Sequence, residues 1–305
     1  MNSDRTRILI IRPGALGDTV VTEPAVAAIR ARHPRAHIEL AGRTDYLPLL
    51  VGPGLADACV STDSAAFTSL FGPGRLELPR SDLVLAYLPD PDGALSARLN
   101  AHAGKAVVSD PRPDEGKTTH IVDHLLAPLG RLDVPAVRDC PRLPCRHEWS
   151  DAARAVCPPL QDGVDYAVIH PGSGGRHKLW PAASWAAVIE ALHPLTFVLT
   201  CGPADAEVVD DLLAHMTHRS RGRVLKNQPA TTVAGVLAGA RAYVGCDSGV
   251  THLAAALGVR TVAVFGPTDP RIWAPRGKSV RVLAGSRAST ASVTPSAVLD
   301  ALDAS

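Results

Sequence analysis

Apolar residues fall along this chain in short unbroken runs that alternate with longer stretches of mixed pattern. Residues 7–11, Arg-Ile-Leu-Ile-Ile, are apolar and β-branched without alternation, as in a strand covered on both faces. Similar runs predict strands at 37–40, 83–87 and 106–108, and mixed stretches predict helices at 20–32, 94–102 and 120–129. Pro24 lacks the N–H that a helix interior needs, so it interrupts the first helix or begins its second segment. The pattern breaks at 130–147, where three prolines and several charges mark a linker. It then restarts, with strands at 166–170, 197–200, 242–245 and 262–265. Helices are expected at 182–192, 205–217, 231–237, 250–257 and 294–302. Such alternation implies an α/β fold, a doubly wound parallel sheet with helices on both faces. It occurs twice, giving domains at 1–147 and 148–305, with the option that the last helix packs back on the first. Two such sheets leave a crevice at their carboxyl ends, the usual ligand position in open α/β proteins.

Composition narrows this picture. A chain of 305 residues with 46% hydrophobic content supplies two ordinary cores, and with only 4% aromatics Ala, Val and Leu must do most of the packing. The net charge of +1 gives no general nucleic-acid binder. None of the six cysteines has CxxC or zinc-finger spacing, and Cys201 and Cys246 sit beside apolar runs as core residues. No clustered carboxylate motif argues for a metal. Reduced cysteines, a polar amino terminus and the lack of a membrane-length apolar run fit a cytoplasmic chain, with contact at a membrane surface left open.

The candidate chemistry lies in the turns that follow the strands. After the first strand come Pro13, Gly14, Ala15, Leu16, Gly17 and Asp18. Gly14 and Gly17 shape the loop, and Gly17 takes a backbone conformation that a Cβ would forbid or lets a ligand approach closely. By position alone Asp18 reads first as a cap for the helix that follows, and also as a carboxylate placed to take a proton from an incoming hydroxyl. The glycine spacing does not match a dinucleotide loop, which ranks a nicotinamide oxidoreductase low. In the second half, small residues at 172–175, including Ser173 and Gly174, precede Arg176 and Lys178, a plausible diphosphate cradle or an ordinary glycine loop. Asp247, Ser248 and Gly249 open an alanine-rich helix that carries His252 in its first turn. Asp247 fits the holding of sugar hydroxyls or the orienting of Ser248, and His252 alone reads as a satisfied helix histidine. Gly-Pro-Thr-Asp-Pro reads as a turn, either one with no ligand role or one whose Thr268 touches a ligand, and Glu207 suits a ribose or a helix dipole.

Taken together, the strand–Arg-Pro-Gly-Ala-Leu-Gly-Asp–helix start, Pro171-Gly-Ser with Lys178-Leu-Trp-Pro, the 247–258 run and Phe265-Gly-Pro-Thr-Asp-Pro resemble the heptosyltransferase-like glycosyltransferases of family nine. The resemblance implies the GT-B fold, two Rossmann-like domains facing across a cleft, the acceptor mainly on the first and the nucleotide-sugar on the second. It implies Asp18 as catalytic base, with Ser173, Gly174, Lys178, Ser248 and Gly249 at the donor diphosphate. Asp247, His252 and Thr268 would then lie at the donor sugar and Glu207 at the nucleoside ribose. It also implies inverting, metal-independent transfer without a cofactor, from a donor such as ADP-heptose to a saccharide of the lipopolysaccharide inner core. The stretch 57–92 sets only Arg75 and Arg80 against six acidic residues, so a smaller, less anionic natural-product acceptor stays open. A non-catalytic nucleotide-sugar-binding protein of the same fold is the reading from another class.

Overall fold

The computed structural model describes residues 6–52, 54–72, 74–114, 116–217, 222–286 and 289–303. The chain divides into two units, Met1–Pro141 and Arg142–Ser305, so the division falls inside the proline-rich stretch.

In the first unit the elements run β1 (Arg7–Ile11), α1 (Leu16–Arg32), β2 (His37–Gly42), β3 (Ala58–Ser61) and α2 (Ala65–Thr68). β4 (Leu83–Tyr87), α3 (Ala94–His102), β5 (Lys105–Ser109) and α4 (Ile121–Leu126) follow, and a 3-10 turn over Ala127–Leu132 ends the series. The five strands form a parallel sheet in the order β3-β2-β1-β4-β5. β1 and β4 are central, and their continuous apolar runs are buried on both faces. One face of the sheet packs Leu9, Ile11, Val84 and Ala86 against Phe67, Leu95 and Leu99.

The second unit contains α5 (His147–Val156), α6 (Pro158–Gln161), β6 (Tyr166–His170), α7 (Ala182–Ala191), β7 (Thr196–Cys201) and α8 (Ala206–Ala214). β8 (Gly222–Lys226), α9 (Ala230–Ala238), β9 (Ala242–Cys246), α10 (Gly249–Ala256), β10 (Thr261–Phe265), α11 (Pro270–Trp273), β11 (Val280–Ala284) and α12 (Pro295–Asp303) complete it. Its parallel sheet has the order β11-β10-β9-β6-β7-β8. Trp180 and Trp185 meet edge to face at 4.9 Å in the core, and Trp180 Nε1 donates to the Val293 carbonyl at 3.0 Å. α12 packs on α7, β10 and β11, with Val298, Ala301 and Leu302 in that same core. Cys201 and Cys246 are buried as expected, and burial pushes the Cys246 thiol up to about 12, leaving it a small apolar packing group.

Three strands lie outside the expected pattern: β3, β8 and β11. All three are edge strands, covered less fully than their neighbours; β3 is short, and Arg223, Lys226 and Arg281 break up the apolar runs of β8 and β11. α5 was hidden for a related reason, because only Trp149 and Ala153, one turn apart, are buried along it. It packs closely on α9, where a Cβ at Gly235 would come within 2.1 Å of the Trp149 carbonyl oxygen. The first helix departs most from expectation. α1 begins at Leu16, four residues early, and runs unbroken through Pro24. An interior proline costs about 3 kcal/mol. Every residue from Thr19 to Ile29 is buried, and that burial offsets the lost hydrogen bond.

Candidate active site

In a parallel sheet every strand delivers the loop after it to the same edge. The most accessible point on that edge is where the chain stops adding strands on one side and begins on the other. In the first unit that switch lies between β1 and β4, and in the second between β6 and β9. Each switch point carries an ion pair.

At the first, Arg12 leaves the end of β1 and its Nη2 donates to Asp18 Oδ1 at 2.7 Å. Asp18 Oδ2 accepts the Ala15 backbone N–H at 2.9 Å. Asp18 is therefore the third residue of α1, not its N-cap; the cap is Ala15, and the carboxylate reaches back to it as in half of a capping box. Asp18 thus steadies the helix start from inside the first turn and not as the expected N-cap, while its remaining lone pairs stay available. Gly14 has φ +144°, and a Cβ there would stand 2.6 Å from Asp18 Oδ2, so only glycine lets the carboxylate lie over this turn. Gly17 lies instead in ordinary helical backbone in the first turn of α1, which removes the expectation that its conformation forbids a Cβ. Arg12 is buried and lies 6.0 Å from the Tyr87 ring centroid. Burial pulls its guanidinium below its ordinary pKa, while Asp18 and more distant groups including Asp110 hold it up and Arg112 lowers it further.

At the second, Lys178 Nζ donates to Asp247 Oδ2 at 2.7 Å, and Ser173 Oγ donates to the Asp247 carbonyl at 2.6 Å. These bonds bring the loop after β6 onto the loop after β9. Asp247 thus orients Lys178, not Ser248. Ser248 is the N-cap of α10, its Oγ accepting the Thr251 N–H at 3.4 Å and lying 3.0 Å from Thr251 Oγ1. Thr251 Oγ1 is in turn 2.9 Å from the Tyr243 hydroxyl and donates to the Cys246 carbonyl. His252 N–H bonds to the Ser248 carbonyl, so the N–H groups of Gly249 and Val250 have no partner within the helix and form an anion-seeking end. His252 is buried in the first turn of α10, Gly174 is exposed, and Thr268 is half-buried after β10, on the same sheet edge. Glu207, in the first turn of α8, pairs with Arg176 at 3.3 Å, both side chains more than four-fifths exposed.

The sequence reading singled out neither Arg12 nor the polar contacts beneath the 172–178 loop. His170 Nδ1 lies 3.1 Å from both oxygens of Thr200, and its Nε2 is 3.9 Å from Asp205 Oδ2. Burial pushes the His170 imidazole below its usual range, with Asp205 opposing. Asp205 Oδ2 also accepts the Gly202 N–H at 2.8 Å, and a Cβ at Gly172 would overlap the Asp205 carboxylate. The signal for Arg12 was a lone charge closing an unbroken apolar run. Among the described residues no three His, Cys, Asp or Glu side chains gather as a metal site, and no helix is long and apolar enough to cross a membrane.

Two doubly wound units whose fold matches solved heptosyltransferases over nearly the whole chain make this a GT-B protein. The chain belongs to glycosyltransferase family 9 (heptosyltransferase), whose family model matches residues 114–300. It is 33% identical over 124 residues to lipopolysaccharide heptosyltransferase 3 of Escherichia coli, covering 37% of this chain but only 34% of that relative. To the protein of the same name in E. coli strain K12 it is 26% identical over 300 residues, covering 85% of this chain and 82% of the relative. Its fold matches E. coli heptosyltransferase WaaC, solved with ADP, at a TM-score of 0.73 and 21% identity over 98% of this chain and 99% of that one.

Proposed function

We propose that this protein transfers a sugar from a nucleoside diphosphate donor to an acceptor hydroxyl, with inversion at the anomeric carbon and without a metal. The observation that carries this reading is the opposite polarity of the two ion pairs. In the first, Arg12 is 6% exposed and Asp18 38%, so the carboxylate faces outward. In the second, Asp247 is 11% exposed and Lys178 27%, so the ammonium faces outward. One edge offers a proton acceptor and the other a grip for phosphate.

In this reading the acceptor oxygen attacks the anomeric carbon while its proton passes to Asp18. The bond from that carbon to the diphosphate oxygen breaks, and the electron pair leaves with the diphosphate. Lys178, Ser173 and the N–H groups of Gly174, Gly249 and Val250 take up the charge that grows there. An ammonium has three protons, so Lys178 can bind phosphate without releasing Asp247. Ser173 has a single proton and reaches a phosphate only by swinging off the Asp247 carbonyl. Asp247, His252 and Thr268 line the donor sugar, Glu207 leaves Arg176 for the ribose, and Gly17 gives the acceptor close approach.

A structural neighbour was solved with ADP and the relatives are named lipopolysaccharide heptosyltransferases, so ADP-heptose is the donor of choice and a core saccharide the first acceptor to try. The test is ADP release from ADP-heptose in the presence of heptose-deficient lipopolysaccharide, alongside calorimetric titration with ADP, UDP, GDP and CDP. Sugar transfer together with selective ADP binding supports the reading. ADP binding without transfer to any acceptor would make the chain a binding protein.

A further inference from the structure

We propose that Arg12 is a positioning residue for transfer, holding the Asp18 carboxylate at the angle from which it takes the acceptor proton; this rests on Asp18 acting as the base. Three observations carry the assignment. Arg12 stands at the carboxyl end of β1, beside the switch point, and its charge is buried there. Its Nη2 takes one oxygen of Asp18 while the Ala15 N–H takes the other, so the carboxylate is held at two points and cannot turn about its Cβ–Cγ bond. Its own place is fixed in turn: the Arg12 backbone N–H donates to the Ala41 carbonyl at 2.8 Å, and the guanidinium lies near the Tyr87 ring. Tyr87 is itself anchored through its hydroxyl to the Leu125 carbonyl.

A helix cap alone would not need this arrangement. The Ala15 N–H is satisfied by Asp18 whether or not Arg12 is present, and a neutral residue at position 12 would fill the end of β1 without burying a charge. Arg12 Nε is buried with no hydrogen-bond partner, so the side chain is placed for what Nη2 does and not for a complete set of bonds. Without Arg12 the carboxylate keeps its Ala15 contact and swings about it, losing the productive orientation while the donor site, on the other unit, is untouched.

The test compares Arg12→Gln, Arg12→Lys, Asp18→Asn and the Arg12→Gln/Asp18→Asn double variant of the full chain. Turnover is followed as ADP release from ADP-heptose, with heptose-deficient lipopolysaccharide or water as the acceptor, and ADP affinity by calorimetry. Arg12→Gln should lower kcat by about tenfold or more while donor KM and ADP affinity stay within about twofold. Arg12→Lys, which restores a donor and a charge, should recover part of the loss. In the Asp18→Asn background the Arg12 change should cost less than about twofold, because residues acting as one unit are not additive. Losses that multiply in the double variant, or wild-type kcat in Arg12→Gln, overturn the role of Arg12 and leave Asp18 in place. Wild-type turnover by Asp18→Asn removes the base itself, and the proposal with it. Should Arg12→Gln melt too low to assay, Arg12→Met, which removes the donor and leaves no buried charge, decides: a kcat loss with unchanged ADP affinity supports positioning, and wild-type kcat overturns it.

Discussion

The two units of this protein are built alike and end differently. Each has a parallel sheet that reverses its direction of growth beside its central strand, and each closes that point with an ion pair at 2.7 Å. In the first unit the pair is local, six residues apart, and the cation is the buried partner. In the second it spans 69 residues, joins two loops, and buries the anion. The same salt-bridge chemistry thus gives one edge an outward carboxylate and the other an outward ammonium. Which partner is buried, and not the presence of the bridge, decides what each edge can do.

Removing the outward charge of the first unit is the strongest way to break this comparison. Asp18→Asn keeps the shape and loses the proton acceptor, so turnover should fall by about 10²–10⁴-fold, measured as ADP release under saturating donor. Gly14→Ala attacks the same carboxylate through the backbone. Its φ of +144° and a Cβ 2.6 Å from Asp18 Oδ2 should cost roughly 1–3 kcal/mol, read as a lower midpoint in urea, together with slower turnover. An unchanged midpoint would show that the turn yields freely and that glycine is not required there.

A smaller effect separates the units by pH. His170, at the end of β6 beneath the 172–178 loop, has its folded pKa depressed by burial, so the folded state favours the neutral imidazole. Its stabilising contribution is present above the ordinary value of 6.5 and is lost as pH falls from there toward the lower folded value. Urea midpoints at about pH 7.5 and about pH 5.5 should therefore fall further in wild type than in His170→Gln. Equal slopes would mean that the charged imidazole is accommodated in the fold. The smallest change is expected from Glu207→Gln. The Arg176 pair is highly exposed and screened, so stability should not move, and ADP affinity should drop by no more than about threefold. A larger loss would bring Glu207 into the core of the grip.

The sequence made the central strands legible because burial on both faces leaves an unbroken apolar run, as in β1, β4, β6 and β9. Edge strands such as β8 and β11 carry charges in the same space and lose that signature. Lys178 and Asp247 were each visible as loop residues after a strand. Their contact was not, because nothing local couples two positions that only the sheet order β9-β6 makes neighbours. Arg12 escaped for the opposite reason: its partner is close in sequence, but a charge at the end of an apolar run reads as the point where burial stops. In the structure burial continues through it. The start of α1 was misplaced because Gly17 looked like part of a turn, although it is already helical.

The division of labour between the two outward charges is tested most directly by titrating ADP into Asp18→Asn and Lys178→Ala side by side with wild type. Asp18→Asn should bind ADP as wild type does, while Lys178→Ala should bind about tenfold or more weakly, as expected for the loss of a charge-assisted hydrogen bond to phosphate. Wild-type affinity in Lys178→Ala, or a comparable loss in Asp18→Asn, would contradict it.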